Sequence, residues 1–252
     1  MAKAKLRKSQ NSYNAVTDIS PRSVANRQQI RSMANRTVDF NPRNLSQARL
    51  VKALENNDNH IVCALGPAGT GKTYLTAKYA VQQLMSKQVE RIIITRPTVE
   101  AGESLGYLPG LLEEKMNPWL LPIYDVFMEN GDINKMEIKS MISQGIIEIA
   151  PFQFMRGRTF KNSIIIADEM QNAEKNQVKM LMTRIGEGSK ILLTGDLEQS
   201  DRRVSKGVSG LEDFLQRLED RPVSGISVIK FADCDVVRHD IITNILKIYE
   251  DD

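Results

Sequence analysis

The sequence predicts an α/β protein: three layers, α/β/α, around a mostly parallel sheet, behind a flexible basic N-terminal arm. Three observations carry this. From Leu45 onward short apolar runs alternate with amphipathic stretches, the pattern of a parallel sheet covered on both faces. The first apolar run passes into a glycine-rich turn, GPAGTGKT at Gly66 to Thr73, and then into a helical pattern. That is the strand–loop–helix context of a phosphate-binding loop. The composition also changes near residue 43. Residues 1–43 hold nine Lys and Arg against Asp18 and Asp39, a local balance of +7 that leaves −4 for residues 44–252 within the total of +3.

The arm is rich in Asn, Ser and Gln and poor in aromatics, so it buries too little surface to fold alone. Its charge either suits a phosphate backbone, through counterion release, or simply solubilises the chain. Residues 44–252 form one domain. Leu45, Ala48, Leu50, Val51 and Leu54 fit one face of a helix, with Asn44 or Ser46 as its cap. His60 to Leu65 reads as a buried strand, and Lys72 to about Met85 as the helix after the turn. Arg91 to Thr95 is a second strand, stopped by Pro97. Pro97 to Gly110 holds three Gly and two Pro and reads as a long loop of the functional kind. Helices are predicted over Leu111–Met116, Trp119–Glu129 and Ile133–Ser143. Strands follow at Ile146–Ala150, Ser163–Ala167, Lys190–Leu193 and Ser227–Phe231, with helices at Asn172–Ile185, Val208–Leu218 and Asp235–Tyr249.

Composition removes several function classes. The longest apolar runs, such as Ile164 to Ala167, fall far short of the roughly 18 residues that cross a bilayer. Lys3, Lys5, Arg7 and Lys8 are followed by no apolar core of a signal peptide. Two cysteines and two histidines exclude a disulfide framework and predict a reducing, cytoplasmic setting with no membrane partner. His60, Cys63, Cys234 and His239 have the count of a zinc site, but residues i and i+3 on a strand point to opposite faces. Cys63 reads instead as a small buried residue beneath the phosphate loop, and Cys234 as a core or loop residue. Met170, Met180 and Met182 read as core, and Trp119 and Tyr124 as packing for the inserted helices.

In the phosphate loop Gly66, Pro67, Ala68, Gly69, Thr70 and Gly71 let backbone N–H groups wrap phosphates at a helix N-terminus. Lys72 is expected to reach the β- and γ-phosphates, and the Thr73 hydroxyl to hold Mg2+. Ile164 to Ala167 form an apolar strand that ends in Asp168 and Glu169. Asp168 at the strand tip suits Mg2+ coordination, and Glu169 beside it suits a base for an attacking water. The next strand leads into Thr194, Gly195, Asp196 and Gln199. The ligand crevice of an open parallel sheet lies at the strands' carboxyl ends, so Gln199 is placed to meet a γ-phosphate. Upstream, the Gln47 amide could pair with an adenine edge, and Phe40 could stack on the base.

These segments resemble the PhoH family of P-loop ATPases, related to the superfamily-one helicase motor domain. The resemblance runs from about Phe40 to Tyr249. It is carried by TRPTVEAGESLGYLPG (Thr95 to Gly110), EEKMNPWLLPIYD (Glu113 to Asp125), APFQFMRGRTF (Ala150 to Phe160), ADEMQN (Ala167 to Asn172), MTRIGEGSKILLTGD (Met182 to Asp196) and DVVRH (Asp235 to His239). Met170 stands where relatives usually have Ala. The resemblance implies a RecA-like P-loop domain that binds and hydrolyses ATP with Mg2+, and single-stranded RNA or DNA as partner. It also implies a hexameric homo-oligomer and contact with the nucleic acid through Thr95 to Glu103. A single RecA-like domain has no second half to bring an arginine finger, whose effect in comparable enzymes is about 10³ to 10⁵ in rate. A neighbouring subunit is the expected donor, with Arg156, Arg158, Arg202 and Arg238 as candidates and Arg158 and Arg238 foremost. Two readings stand beside a nucleic-acid-coupled ATPase or helicase. One is a P-loop kinase acting on a small molecule. The other is a nucleotide-gated RNA-binding scaffold with little turnover.

Overall fold

The computed structural model describes residues 41–97, 112–129, 132–199 and 208–237, with side chains of the 112–128 helix from Leu120 on. Residues 1–40 of the arm, Phe40, Arg202, Arg238, His239, the loop from Thr98, the Trp119 side chain and the closing helix beyond Val237 lie outside the described residues.

The chain orders its elements as α1 (Leu45–Glu55), β1 (Ile61–Leu65), α2 (Lys72–Met85), β2 (Arg91–Thr95), α3 (Leu112–Met128), α4 (Lys135–Gln144), β3 (Ile147–Ile149), β4 (Ser163–Ala167), α5 (Lys175–Met182), β5 (Lys190–Gly195), α6 (Gly210–Asp220) and β6 (Ile226–Lys230). The six strands form one sheet in the order β3-β2-β4-β5-β1-β6, and every pairing is parallel. The apolar strands alternate their burial between two cores, because successive side chains leave a strand on opposite faces. Val62, Ala64, Ile92, Ile94, Ile164, Ile166 and Leu192 pack with α1 to α4. Cys63, Leu65, Ile93, Ile165, Ala167, Ile191 and Leu193 pack with α5 and α6. Each such Ile or Leu taken fully out of water contributes about 1.5–3 kcal/mol. The three layers follow from that alternation.

Caps fix the helix starts. Asn44 accepts from the Gln47 N–H at 2.8 Å at the head of α1, as expected. At α4, Asn134 and Glu137 form a reciprocal capping box, which satisfies two otherwise orphaned donors. Two helices differ from expectation. The predicted break between Met116 and Trp119 is absent, and α3 runs through Pro118 and Pro122. These prolines stand four residues apart on one helix face, and Pro122 is exposed. Water can therefore take the Pro118 carbonyl that Pro122, lacking an N–H, leaves unbonded. The helix predicted from Asn172 instead begins at Lys175, after a one-turn 3-10 helix at Met170–Asn172. Glu174 and Gln177 cap it reciprocally, so the backbone turns before it winds.

α2 is tied to the segment after α3 by Lys78, which is fully buried and bonds Asp132 at 2.5 Å and the Glu129 carbonyl at 3.1 Å. Removing one partner of such a pair costs about 3–5 kcal/mol. Tyr124 is buried against Phe127, with ring centroids 6.3 Å apart, and Met170 is wholly buried among the α5 and α6 contacts. Cys63 is fully buried, which pushes its thiol up to about 12; Cys234 is exposed in the 3-10 turn Asp233–Asp235.

Candidate nucleotide-binding site

In register, Leu65 of β1 stands beside Gly195 of β5, Ala167 of β4 beside Leu193, and Thr95 of β2 beside Ala167. The strand tips therefore end nearly flush, and the segments after β1, β4 and β5 share the carboxyl edge of the sheet, where open α/β sheets place their ligands. They enclose a cleft of about 270 Å³ lined by Ala68, Gly69, Gly71, Lys72, Thr73, Tyr74, Asp168, Glu169, Thr194, Gly195, Asp196 and Gln199.

The phosphate loop takes its path because glycine allows it. Gly66 has φ 134°, and a Cβ there would run into the Phe231 main chain. Gly71 has φ 86°, and its Cβ would lie 2.8 Å from the Gln47 amide nitrogen. Both backbones occupy the left-handed half of φ space, where side chains rarely go. Gln47 itself is buried and clasps the loop. Its Nε2 donates to the Thr70 carbonyl at 3.0 Å, and its Oε1 accepts from the Arg43 N–H at 2.8 Å. The structure thus brings Gln47 to the loop, as a support for its backbone. The segment after the 3-10 turn Asp233–Asp235 closes the other side, the Val237 N–H donating to the Gly69 carbonyl at 3.0 Å.

Lys72 opens α2, and its ammonium folds onto the loop, 2.5 Å from the Gly66 carbonyl and 2.6 Å from that of Pro67. Burial pulls its pKa below the ordinary lysine value, while the nearby charges of Asp196, Glu169 and Asp168 act in the opposite direction. Thr73 donates its hydroxyl to Asp168 Oδ1 at 3.0 Å, and Thr194 donates to the same oxygen. Asp168 is 7% exposed, and its own N–H donates to the Thr95 carbonyl at 3.0 Å. Since β5 lies between β1 and β4, it delivers Thr194 between the phosphate loop and the acidic strand tip.

Glu169 sits at φ 54°, a left-handed conformation that costs a non-glycine residue about 1–3 kcal/mol and persists where surrounding contacts impose it. The contact here is Gln171. Its Nε2 donates to Glu169 Oε2 at 2.6 Å, and its Oε1 accepts the Asp196 N–H at 3.1 Å. One buried carboxamide therefore joins the turn after β4 to the turn after β5, and Gln199 lines the cleft just beyond.

The sequence did not single out Gln171 or Tyr74. Tyr74 follows the phosphate loop, lines the cleft, and is pushed up to about 12 by burial and then by hydrogen bonding to Glu129. A signal for each existed: an aromatic residue directly after the loop's Thr73, and a carboxamide two residues past Glu169. Arg158 is not in the cleft. Its guanidinium is bound to Glu148 on edge strand β3 at 2.5 and 2.9 Å and lies over the Phe160 ring. Arg156 lies off the cleft as well, lining a second one. No arginine lines the phosphate cleft among the described residues.

Known proteins match this chain over most of its length. A PhoH-like protein of Mycobacterium tuberculosis is 44% identical over 218 residues, covering 86% of this chain and 60% of that protein. One of Bacillus subtilis is 45% identical, covering 82% and 62%, and Protein PhoH of Escherichia coli is 40% identical, covering 86% and 61%. The chain thus spans about 60% of the length of these curated relatives. The family model described as PhoH-like protein matches residues 39–250, and the chain belongs to the PhoH family.

Proposed function

We propose that the chain binds ATP with Mg2+ and hydrolyses it, coupling the cycle to gripping or remodelling single-stranded RNA or DNA, as a hexameric homo-oligomer. The observation that carries the reading is the convergence on Asp168. Its Oδ1 accepts from Thr73 and Thr194 in the cleft that Lys72, Glu169 and Gln199 also line. A hydroxyl and a carboxylate are hard oxygen donors, and Mg2+ in nucleotide sites takes only one or two protein ligands beside phosphate and water. The residues fit the ion: Thr73 would hold it directly and Asp168 would order its shell. Mg2+ bound there would neutralise charge on the phosphates.

In this reading Lys72 exchanges the Gly66 and Pro67 carbonyls for phosphate oxygens, a stronger, charge-assisted partner. The loop's N–H groups and the α2 N-terminus hold the remaining charge. Glu169, steered by Gln171, orients the attacking water and accepts its proton. Gln199 bonds the γ-phosphate, so that its turn moves when that phosphate leaves. Phe40 is proposed to stack on the base, while Gln47, its amide bonded to the Thr70 carbonyl and the Arg43 N–H, supports the phosphate loop in place of pairing with the base. A cleft with no arginine of its own among the described residues supports a finger from the next subunit, Arg158 or Arg238. For Arg158 that requires release from Glu148. Heterologous contacts of that kind close into rings.

The test is ATP turnover with and without single-stranded RNA or DNA, in the wild type and in Glu169→Gln. Expected is a loss of about 10²- to 10⁴-fold in Glu169→Gln with ATP affinity kept, since the carboxamide retains the shape. Turnover that survives Glu169→Gln and needs a small phosphate acceptor would point to a kinase and overturn the reading.

A further inference from the structure

A second cleft has a volume of about 570 Å³, within the size range of ligand sites. One wall is the turn that follows β3, from the 3-10 helix Phe152–Phe154 to Gly157; the other is the start of α5. Both walls begin where a strand ends at its carboxyl end, β3 for one and β4 for the other, so the cleft opens on the same edge of the sheet as the phosphate site.

Its chemistry is of three kinds. Phe152, buried, and Met180 form an apolar floor, and Phe154 on the same turn stands 58% exposed. Arg156 is an exposed cation with no hydrogen-bond or ion-pair partner among the described residues. Gln153 and Asn176 are exposed carboxamides that likewise make no side-chain bond there, leaving donors and acceptors open. The scaffold beneath is fixed. Arg184 donates to the Arg158 carbonyl at 3.0 Å and to that of Met180 at 3.3 Å, tying turn to helix.

An exposed ring, an unpaired guanidinium and free carboxamides are what a single strand needs: a face to stack a base, a charge for its phosphate and edges to pair with the base. A compact polyanion would want several converging cations, and Glu174 on the α5 wall opposes it. A protein partner would look for a broader apolar anchor than one ring and a buried floor.

We propose that this cleft and the exposed turn beside it seat a single-stranded nucleic acid, with a base on Phe154 of the turn, outside the cleft lining, a phosphate on Arg156 and base edges at Gln153 and Asn176. This rests on the nucleic-acid half of the proposed function and gives it a place. It also gives it a path. Glu169 and Asn176 belong to one continuous segment, and Gln171 within it bonds Glu169 directly, so a strand pressing on α5 acts on the turn that holds the proposed base.

The experiment is anisotropy of a fluorescein-labelled oligouridine with the full chain and no nucleotide, across a salt series. Phe154→Ala is expected to weaken binding about tenfold, the scale of one lost stacking contact. Arg156→Ala is expected to weaken it and to lower the salt slope by about one phosphate. Arg221→Ala, at the opposite end of the strands beyond α6, serves as control and is expected to stay within about twofold, well inside that tenfold step. Wild-type affinity in both Phe154→Ala and Arg156→Ala overturns the assignment. So does a loss that tracks dissociation on sizing, which would make the cleft a contact between chains. A wild-type chain that binds no strand overturns the nucleic-acid reading as a whole. With no nucleotide present, a failure of ATP hydrolysis leaves this result untouched, so the two readings fail separately.

Discussion

At its amino end β5 begins on Lys190, 7% exposed, whose ammonium donates to the carbonyls of Leu54 at 2.5 Å and Asn56 at 3.0 Å and to the Tyr79 hydroxyl at 3.3 Å. At its carboxyl end the same strand delivers Thr194 to Asp168 and the Asp196 N–H to Gln171. Both ends are buried and polar. At the amino end the ammonium finishes on the Leu54 carbonyl, among the last of α1, where a cation also meets the negative end of a helix, and it shares the Asn56 carbonyl with the Asn59 N–H. At the carboxyl end the groups bond one another across three loops and still face a cleft. Strain stays there too, in the left-handed Glu169. So do two buried polar atoms without hydrogen-bond partners among the described residues, Thr95 Oγ1 and Asn172 Oδ1. A fold that satisfies one end of a strand and leaves the other unfinished marks where it works.

The sharpest way to break this comparison is Thr194→Val, which keeps shape and strand preference and removes one hydroxyl. A hydrogen bond to a charged group contributes about 1.5–3 kcal/mol, so some melting temperature is lost, and with Asp168 no longer held in place turnover is expected to fall roughly ten- to a hundredfold even at temperatures where the variant is fully folded. Turnover within twofold of wild type would make the carboxyl end as structural as the amino end.

The converse variant is Lys190→Met. It keeps the length of the side chain, deletes the ammonium and strands the Leu54 carbonyl, while the Asn56 carbonyl keeps the Asn59 N–H. Unsatisfied buried groups cost about 1–3 kcal/mol, and each kcal/mol is about 2–4 °C of melting temperature in a chain of this size. Urea or thermal unfolding is expected to show that loss, with ATP affinity unchanged. A variant as stable as wild type but impaired in nucleotide binding would reverse the roles of the two ends.

The sequence speaks for these ends unequally. GPAGTGKT and the Ile-Ile-Ile-Ala-Asp-Glu run are legible because their chemistry is contiguous: a loop and a strand tip each carry their own context. Lys190 is not, because its partners on α1 lie 136 and 134 residues away, and a lysine opening a strand reads as a solvated flank. Gln171 is hidden for a related reason. Periodicity from Asn172 to Ile185 resembles one helix, and only the Glu174–Gln177 cap shows that the chain first turns, which aims Gln171 back at Glu169. Pro118 and Pro122 mislead in the other direction, since their spacing of four confines the damage to one face of α3.

The smallest effect expected separates the amino end from everything else by pH. Burial pulls Lys190 down to about 8 from an ordinary 10.5. Between those values the unfolded chain binds the proton and the folded chain does not, so stability rises with pH across that window. Below about 8 both forms are protonated, and the cost of burying the charge is fully present. Tyr74 and Tyr79 run the other way. Burial raises both from 10.0 to about 12, so the unfolded chain loses its protons first and stability falls through that interval. The unfolding free energy is therefore expected to climb from pH 8 and turn over near pH 10. In Lys190→Met the Lys190 share of the climb disappears and the fall remains. Lys72 contributes to the climb in the same direction, so the difference between wild type and variant, rather than either curve alone, isolates the amino end of β5. A difference curve flat from pH 8 to 10.5 would show that the Lys190 ammonium is as well accommodated in the fold as in water.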